Sequence, residues 1–477
     1  MKFQLHSLDS HKSKLRKLKK YILYTCIGIT LLTIALVGFS MIGPKNNAID
    51  TFLRANLPDN LQKDEYGFIN FLIAGSGGEN HIGGELTDAL MVASVDTKKQ
   101  HVVLMSIPRD LFISHENIIS QRINSVYENH YRKIGSEESL KILREIAEEV
   151  TGIKIPYHIK LNFKALEEVV DHLGGIEVYN PELLYDPYYP GPNYTYQTFK
   201  LQKGLQILNG SNALKYARSR KTTSDFSRSK RQQDIILAIK NKALNSKILT
   251  NPKKLQELFD IIKSNIVTNL NMEEIVTLAL KVKNISHQDI RSLVLSNDFS
   301  ETGGFLYTPP REQYNNAFVL KAADETYSQI HLYFLINRIY FDTMQYLGDV
   351  VVKNGTYTSG LAGKLQQVLK RYGINSITEN ASKRPIENSS ILHYDLVGSD
   401  TLDVIDSILH IKEKNNLEVE NPDLGIKTEI ILGKDFISKI KQLDSFTNVY
   451  SIIFAAKEKI PKEDQSGSDP DSNFEKI

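Results

Sequence analysis

Short apolar runs and stretches with an apolar residue every third or fourth position alternate through the middle of the chain. Residues 68–74 (Phe-Ile-Asn-Phe-Leu-Ile-Ala) predict a buried strand, stopped by Gly75-Ser76-Gly77-Gly78. Residues 89–95 and 101–107 predict two more, with a polar turn over 96–100 between them. Helical spacing takes over at 139–150, where Leu140, Leu143, Ile146, Ala147 and Val150 share one face. A second helix is expected over 162–173, ended by Gly174-Gly175. Residues 176–179 read as a strand, and 228–243 as a long helix. Further on, 252–281 and 317–342 carry helical patterns, and 290–296 and 304–308 read as extended. Helices interspersed with apolar strands predict a three-layer α/β/α domain.

A second periodic block starts near Gly348. Its expected order is strand 349–353, turn 354–356, helix 359–372 and strand 376–379, then strand 390–394, helix 400–411 and strand 428–432. That order predicts a small α/β domain. The tail 457–477 is rich in Lys, Glu, Asp, Ser and Pro, a composition that predicts disorder.

Residues 21–43 contain no charged side chain. Twenty-three residues at helical rise span a bilayer core of about 30 Å. A cleavable signal peptide would have a shorter apolar core followed by a small-x-small site, and Met41-Ile42-Gly43-Pro44-Lys45 has none. One uncleaved transmembrane helix is therefore expected. Residues 1–20 carry seven Lys or Arg against Asp9 alone, so this basic tail is expected in the cytoplasm and the body outside. Residues 44–64, with Pro44 and Pro58, read as a linker.

Composition narrows the chemistry. With the basic tail set aside, the remainder holds 51 basic and 55 acidic residues, which argues against nucleic-acid binding. The only cysteine, Cys26, lies in the apolar segment, so the body has neither a thiol nucleophile nor a cysteine metal site.

The densest candidate chemistry is Tyr216-Ala217-Arg218-Ser219-Arg220, followed by Asp225-Phe226-Ser227-Arg228 and Arg231-Gln232-Gln233. If 214–220 is a strand, Arg218 and Arg220 share a face; if a helix starts near Asp225, Arg228 and Gln232 are neighbours one turn apart. Guanidinium forks suit phosphate oxygens, and a pyrophosphate matches so many donors. The alternative is a solvated basic face, which Lys215, Lys221 and Lys230 would also fit. Arg109, in Ile107-Pro108-Arg109-Asp110, emerges where a strand ends, and Arg122 follows shortly after. The alternative for the neighbours Arg109 and Asp110 is a surface pair. Asp88 precedes a strand, as a turn residue or as a carboxylate beside a phosphate-bound Mg²⁺. The Gly-rich loop after 68–74 fits neither a dinucleotide fingerprint nor a P-loop.

Taken in order, these motifs resemble those of the LytR-CpsA-Psr family, bacterial enzymes that attach glycopolymers to the cell wall. The resemblance covers about 67–244. It rests on the Gly-rich loop with Leu86-Thr87-Asp88, Ser106-Ile107-Pro108-Arg109-Asp110, Arg122-Ile123-Asn124, Asn162-Phe163 through Gly174-Gly175, Gly204 through Leu214, and the run from Arg218 to Gln233. The block 348–436 is similar to the C-terminal accessory domain of some members.

The resemblance implies a catalytic domain over 65–342 with a mixed central sheet, anchored by one membrane helix and lying outside the cell. It implies transfer of a glycan, with one phosphate, from a polyprenyl-pyrophosphate carrier to peptidoglycan, usually with Mg²⁺. By matched position, Arg109, Arg122, Arg218, Arg220, Arg228 and Gln232 would hold the pyrophosphate, Asp88 the metal, and Asp225 would orient an arginine. Asp88, Arg109, Arg218 and Arg220 would carry the catalysis. The chain departs from the pattern at Gly77, where the family commonly has an aspartate, and at Leu86, where an arginine is often found. Compensation by Glu79 or His81 and a weakly held metal are the two alternatives. A non-catalytic polyprenyl-phosphate or wall-glycan scaffold, and a lipid-pyrophosphate phosphatase, are the competing functions.

Overall fold

A computed structural model describes residues 60–78, 84–116, 118–191, 195–219, 252–394, 400–417 and 427–443, and several helical positions between 231 and 243. The apolar segment 21–43 and the tail 457–477 lie outside these residues. Among the described residues no helix is long and apolar enough to cross a membrane.

The apolar runs form the middle of a sheet. Strands β1 (Ile69–Ser76), β2 (Ala89–Asp96) and β3 (His101–Ile107) pair antiparallel in sequence. They are buried on both faces, which is why they read as continuous apolar stretches. A small hairpin, β4 (Phe112–His115) with β5 (Ile118–Arg122), leads to helices α1 (Ser125–Ile134) and α2 (Ser136–Thr151). Helix α2 buries the stripe expected of it and stops at Gly152, whose φ of 72° is left-handed. Strand β6 (Tyr157–Asn162) then pairs parallel with β1. Helix α3 (Phe163–His172) follows, capped by Asn162, which accepts from the Ala165 amide at 3.0 Å.

Two antiparallel ribbons come next. Strand β7 (Ile176–Asn180) pairs with β10 (Gly204–Leu208), and β8 (Leu184–Pro190) pairs with β9 (Tyr196–Leu201). Residues 210–218 form helix α4 (Gly210–Arg218), which overturns the strand expected over 214–220. The cause is local. Asn209 caps the helix, accepting from the Asn212 amide at 2.9 Å, and Ala213, Leu214 and Ala217 bury at helical spacing. Gly210 lets α4 press on α3: a Cβ there would lie 2.3 Å from the Glu167 carbonyl oxygen. Arg218 therefore lies at a helix end and on no strand face.

The helical stretch expected over 252–281 is two helices, α5 (Pro252–Asn265) and α6 (Met272–Val282), separated by edge strand β11 (Ile266–Thr268). Strand β12 (Ile290–Val294) pairs parallel with β3, completing a mixed six-stranded sheet in the order β11-β6-β1-β2-β3-β12. The short pair β13 (Leu306–Tyr307) and β14 (Lys321–Ala322) precedes α7 (Ser328–Ile339) and α8 (Phe341–Gln345), so the helix expected over 317–342 starts later and is broken.

One face of the sheet (Phe71, Ile73, Met91, Ala93) packs on α3, α4 and the inward side chains of the ribbons. The other (Leu72, Val92, Val103, Met105) packs on α1, α2 and α7. Arg338 of α7 is fully buried. It donates to Asp64 and to Ser94 Oγ, and its guanidinium lies 4.4 Å over the Phe68 ring.

The C-terminal unit is a five-stranded sheet in the order β16-β15-β19-β17-β18. Its elements are β15 (Asp349–Asn354), α9 (Leu361–Arg371), β16 (Ser376–Asn380), β17 (Ser390–Tyr394), α10 (Thr401–Leu409), β18 (Glu413–Leu417), β19 (Lys427–Leu432) and α11 (Phe436–Leu443). The two units share packing. Phe305 lies 5.2 Å from Tyr333 and 5.1 Å from Tyr372, centroid to centroid. The Gly303 amide donates to the Arg371 carbonyl at 2.8 Å, and Arg371 Nε to the Phe299 carbonyl at 3.0 Å.

Candidate active site

Strand direction decides where the candidate residues meet. Gly75 near the end of β1 pairs with both Ala89 and Leu161, Ser76 with Asn162, and Leu90 with Ile107. The C-terminal ends of β1, β3 and β6 and the start of β2 therefore lie along one edge of the domain. In open α/β sheets the loops leaving such ends form the binding crevice. Along this edge stand Phe163 after β6, Gly77 after β1, Asp88 before β2 and Arg109 after β3, each one strand from the next, or about 4.8 Å.

Three motifs are laced together here through the backbone. The Thr87 amide donates to the Asn124 carbonyl at 2.9 Å, the Asn124 amide to the Arg109 carbonyl at 3.3 Å, and the Ile123 amide to the Leu111 carbonyl at 2.8 Å. Their side chains then close a network. Arg109 Nη1 lies 3.3 Å from Asp88 Oδ1, and Arg109 Nε lies 3.2 Å from Asp110 Oδ2. Arg122 Nη1 reaches Asp110 Oδ1 at 3.1 Å. Asn124 Nδ2 donates to Asp88 Oδ1 at 2.8 Å. The Arg109–Asp110 pair is real, and it is no surface pair: each side chain is only 13% exposed. Arg122 is the open member, at 42%.

Burial pushes the Asp88 carboxyl up to about 7. The Arg109 charge and the Asn124 hydrogen bond pull against that, and the Asp110 charge adds to it. Both hydrogen bonds to Asp88 fall on Oδ1. Among the described residues Asn124 Oδ1 is buried without a hydrogen-bond partner. The donor set thus comprises one carboxylate and one amide oxygen. That fits a Mg²⁺ ion that takes one carboxylate and completes its shell with water and substrate phosphate. Among the described residues no group of three His, Cys, Asp or Glu is clustered to hold a metal without such help.

Arg218 ends α4 on the other side of β1. Its guanidinium lies 4.7 Å over the Phe163 ring and 5.3 Å from the Tyr189 ring centroid, a cation–π seat. The chain leaving it is clamped. Ser219 Oγ donates to Asp186 at 3.1 Å, while the buried Arg231 donates to the Ser219 carbonyl at 2.6 Å and the Tyr216 carbonyl at 3.2 Å. Burial raises the Glu167 carboxyl, as does Asp171, and the Arg218 charge opposes them.

The structure thus brings Asp88, Arg109 and Arg122 into one network and seats Arg218 two strands away at the same sheet edge. Arg220, Asp225, Arg228 and Gln232 lie outside the described residues, as do Glu79 and His81. Sequence reasoning missed the joint role of Asp110, the orphaned Asn124 oxygen, and Phe163 with Tyr189 as the seat of Arg218. Only the Arg-x-Asn spacing of 122–124 hinted at the second of these.

Comparison with known proteins adds to this geometry. Residues 45–323 match the LytR_cpsA_psr family model, and 349–436 match the LytR cell envelope-related transcriptional attenuator model. The TagU polyisoprenyl-teichoic acid–peptidoglycan teichoic acid transferase of Bacillus licheniformis is 26% identical over 331 residues, 67% of this chain and 96% of that protein. The cell wall biosynthesis protein LcpA of Corynebacterium glutamicum is 27% identical over 220 residues, and the match covers 42% of this chain and 41% of that one. The chain spans about half the length of the Bacillus subtilis TagU transferase, at 29% identity. The crystal structure of B. subtilis TagU matches 55% of this chain and 94% of its own, at 24% identity and a TM-score of 0.38.

Proposed function

We propose, from the premise that this chain belongs to the LytR-CpsA-Psr family, that it moves a glycopolymer from a polyprenyl-pyrophosphate carrier to peptidoglycan, anchored by a membrane helix over 21–43. The carrying observation is the network of Asp88, Arg109, Asp110 and Arg122 at the sheet edge where Arg218 is also seated. The similarity to TagU transferases supports the substrate class.

In the reaction an acceptor sugar hydroxyl attacks the glycan-side phosphorus. A phosphodiester bond forms, the bond from that phosphorus to the bridging oxygen breaks, polyprenyl phosphate leaves, and the hydroxyl proton passes to solvent. Arg109, Arg122 and Arg218 bind the pyrophosphate and offset the charge gathering on the leaving phosphate. Arg218 is held in place by its stacking on Phe163 and Tyr189. Asp88 and Asn124 would hold Mg²⁺, which supplies Lewis-acid polarisation of the phosphoryl oxygens.

A non-catalytic scaffold is the second reading, favoured by Gly77 in the first loop. Purified full-length protein, given a polyprenyl-pyrophosphate glycan and peptidoglycan, should release polyprenyl phosphate only when the acceptor is present. Binding without release would make it a scaffold, and release without acceptor a phosphatase. Arg218→Ala should weaken donor binding by roughly 1.5–3 kcal/mol, the worth of a hydrogen bond to a charged group. Unchanged affinity by calorimetry would remove Arg218 from the site.

A further inference from the structure

A ribbon packed on a core by one face alternates apolar inward with polar outward residues. The two ribbons over 176–208 keep the first half of that rule and break the second. Val178, Leu184, Tyr189, Phe199 and Leu201 face the core. The outward positions include Glu177, Thr198 and Lys200, but most are Tyr179, Tyr185, Tyr188, Tyr196, Leu205 and Ile207, with Ile207 72% exposed. They are organised. Leu205 sits directly across from Tyr179, and the rings of Tyr188 and Tyr196 meet edge to face at 6.0 Å. Asn180 ties one ribbon to the other, donating to the Leu201 and Gln202 carbonyls at 3.1 and 2.9 Å. Exposed apolar side chains gathered in this way mark a contact surface.

We propose that the outward faces of these ribbons rest in the headgroup region of the lipid bilayer, an inference that builds on the membrane-anchored, lipid-substrate reading above. Three observations select a lipid surface. Four of the six side chains are tyrosines, whose apolar rings and polar tips suit the membrane–water interface. The inward Tyr189 of the same ribbon seats Arg218, so the ribbon walls the site that a polyprenyl tail must enter from the bilayer. The tether is also long enough to allow it. The sixteen residues 44–59 reach at most about 55 Å from the apolar segment, and Leu61 packs into the core cluster that the ribbons cover. Exposed charges on the ribbons balance, with Glu177 and Glu182 against Lys200 and Lys203, so docking depends on apolar insertion rather than on anionic lipid.

The chain contains no tryptophan, so one can be introduced as a depth probe. Full-length Tyr188→Trp and Ile207→Trp proteins are reconstituted into phosphatidylcholine vesicles carrying brominated acyl chains, with Tyr346→Trp as an exposed control. Blue-shifted, bromine-quenched emission at 188 and 207 but not at 346 is expected, unchanged by salt. Emission like the control's at both positions overturns the proposal. So does a blue shift that depends on protein concentration, which means self-association, or one that appears only with peptidoglycan sacculi. Leu205→Lys with Ile207→Glu should cut turnover of a membrane-embedded donor about tenfold and leave a short-chain, water-soluble donor unaffected. Equal loss on both donors also overturns it. If wild type turns over neither donor, the transferase reading fails while the quenching result still decides the docking face.

Discussion

Asp88 is the residue whose environment says most. An aspartate in an unfolded chain gives up its proton near pH 4, whereas burial holds that of Asp88 until about pH 7. Its contribution to stability is therefore complete below about pH 4 and is lost as pH rises through 7. Asp88→Asn, an isostere of the protonated form, should flatten that dependence. In the absence of divalent ions, the melting temperature of wild type should fall relative to Asp88→Asn between pH 4 and 8. Parallel melting curves in calorimetry would contradict the assigned burial. Asp110 makes a different kind of contribution. It holds Arg109 and Arg122 at once, so it sets the spacing of two guanidinium groups without needing to touch the substrate.

Among elements, legibility in the sequence tracked how purely apolar the burial is. Strands β1 to β3 stood out because both of their faces are buried by aliphatic side chains. Strand β6 did not, because its second face carries His158 and Lys160. These are buried against Glu137 at 2.9 Å and Glu85 at 2.6 Å, partners distant in sequence. The ribbons over 184–208 went unread because outward Tyr, Leu and Ile erase the alternation that marks a half-buried strand. Helix α4 read as a strand because Arg218 and Arg220 stand at alternate positions, a period-two spacing that says nothing of the Asn209 cap nine residues earlier. Asn209→Ala should cost about 1 kcal/mol of stability and should also loosen Arg218, nine residues on. Urea titration checks the first effect and donor affinity the second. An intact cap energy with normal affinity would mean that α3 alone holds α4 in place. Of the candidate site, Asp88, Arg109, Arg122 and Arg218 were legible as residue types at motif spacings. Their grouping was not, since it depends on which strand ends lie side by side.

At the scale of the molecule, the C-terminal unit is packed onto the main domain, not strung from it. Phe305, Tyr333 and Tyr372 meet within 6.4 Å of one another, centroid to centroid. Tyr372→Ala should cost about 3–5 kcal/mol, as truncation of a buried aromatic does. That loss should appear as earlier unfolding of the whole body in a single calorimetric transition. Two separated transitions would show that the units melt independently. If the protein is the membrane-tethered wall transferase proposed above, the shared aromatic contact also bears on how it would work beside a rigid polymer. A unit on a swivel would let the wall move freely past the active site. A unit fixed at this seam would act as a strut: a pull on it would pass through Tyr372 and Phe305 to α7, and from Arg338 to Ser94 of β2. Strain in the wall would then be felt where its new side chains are attached.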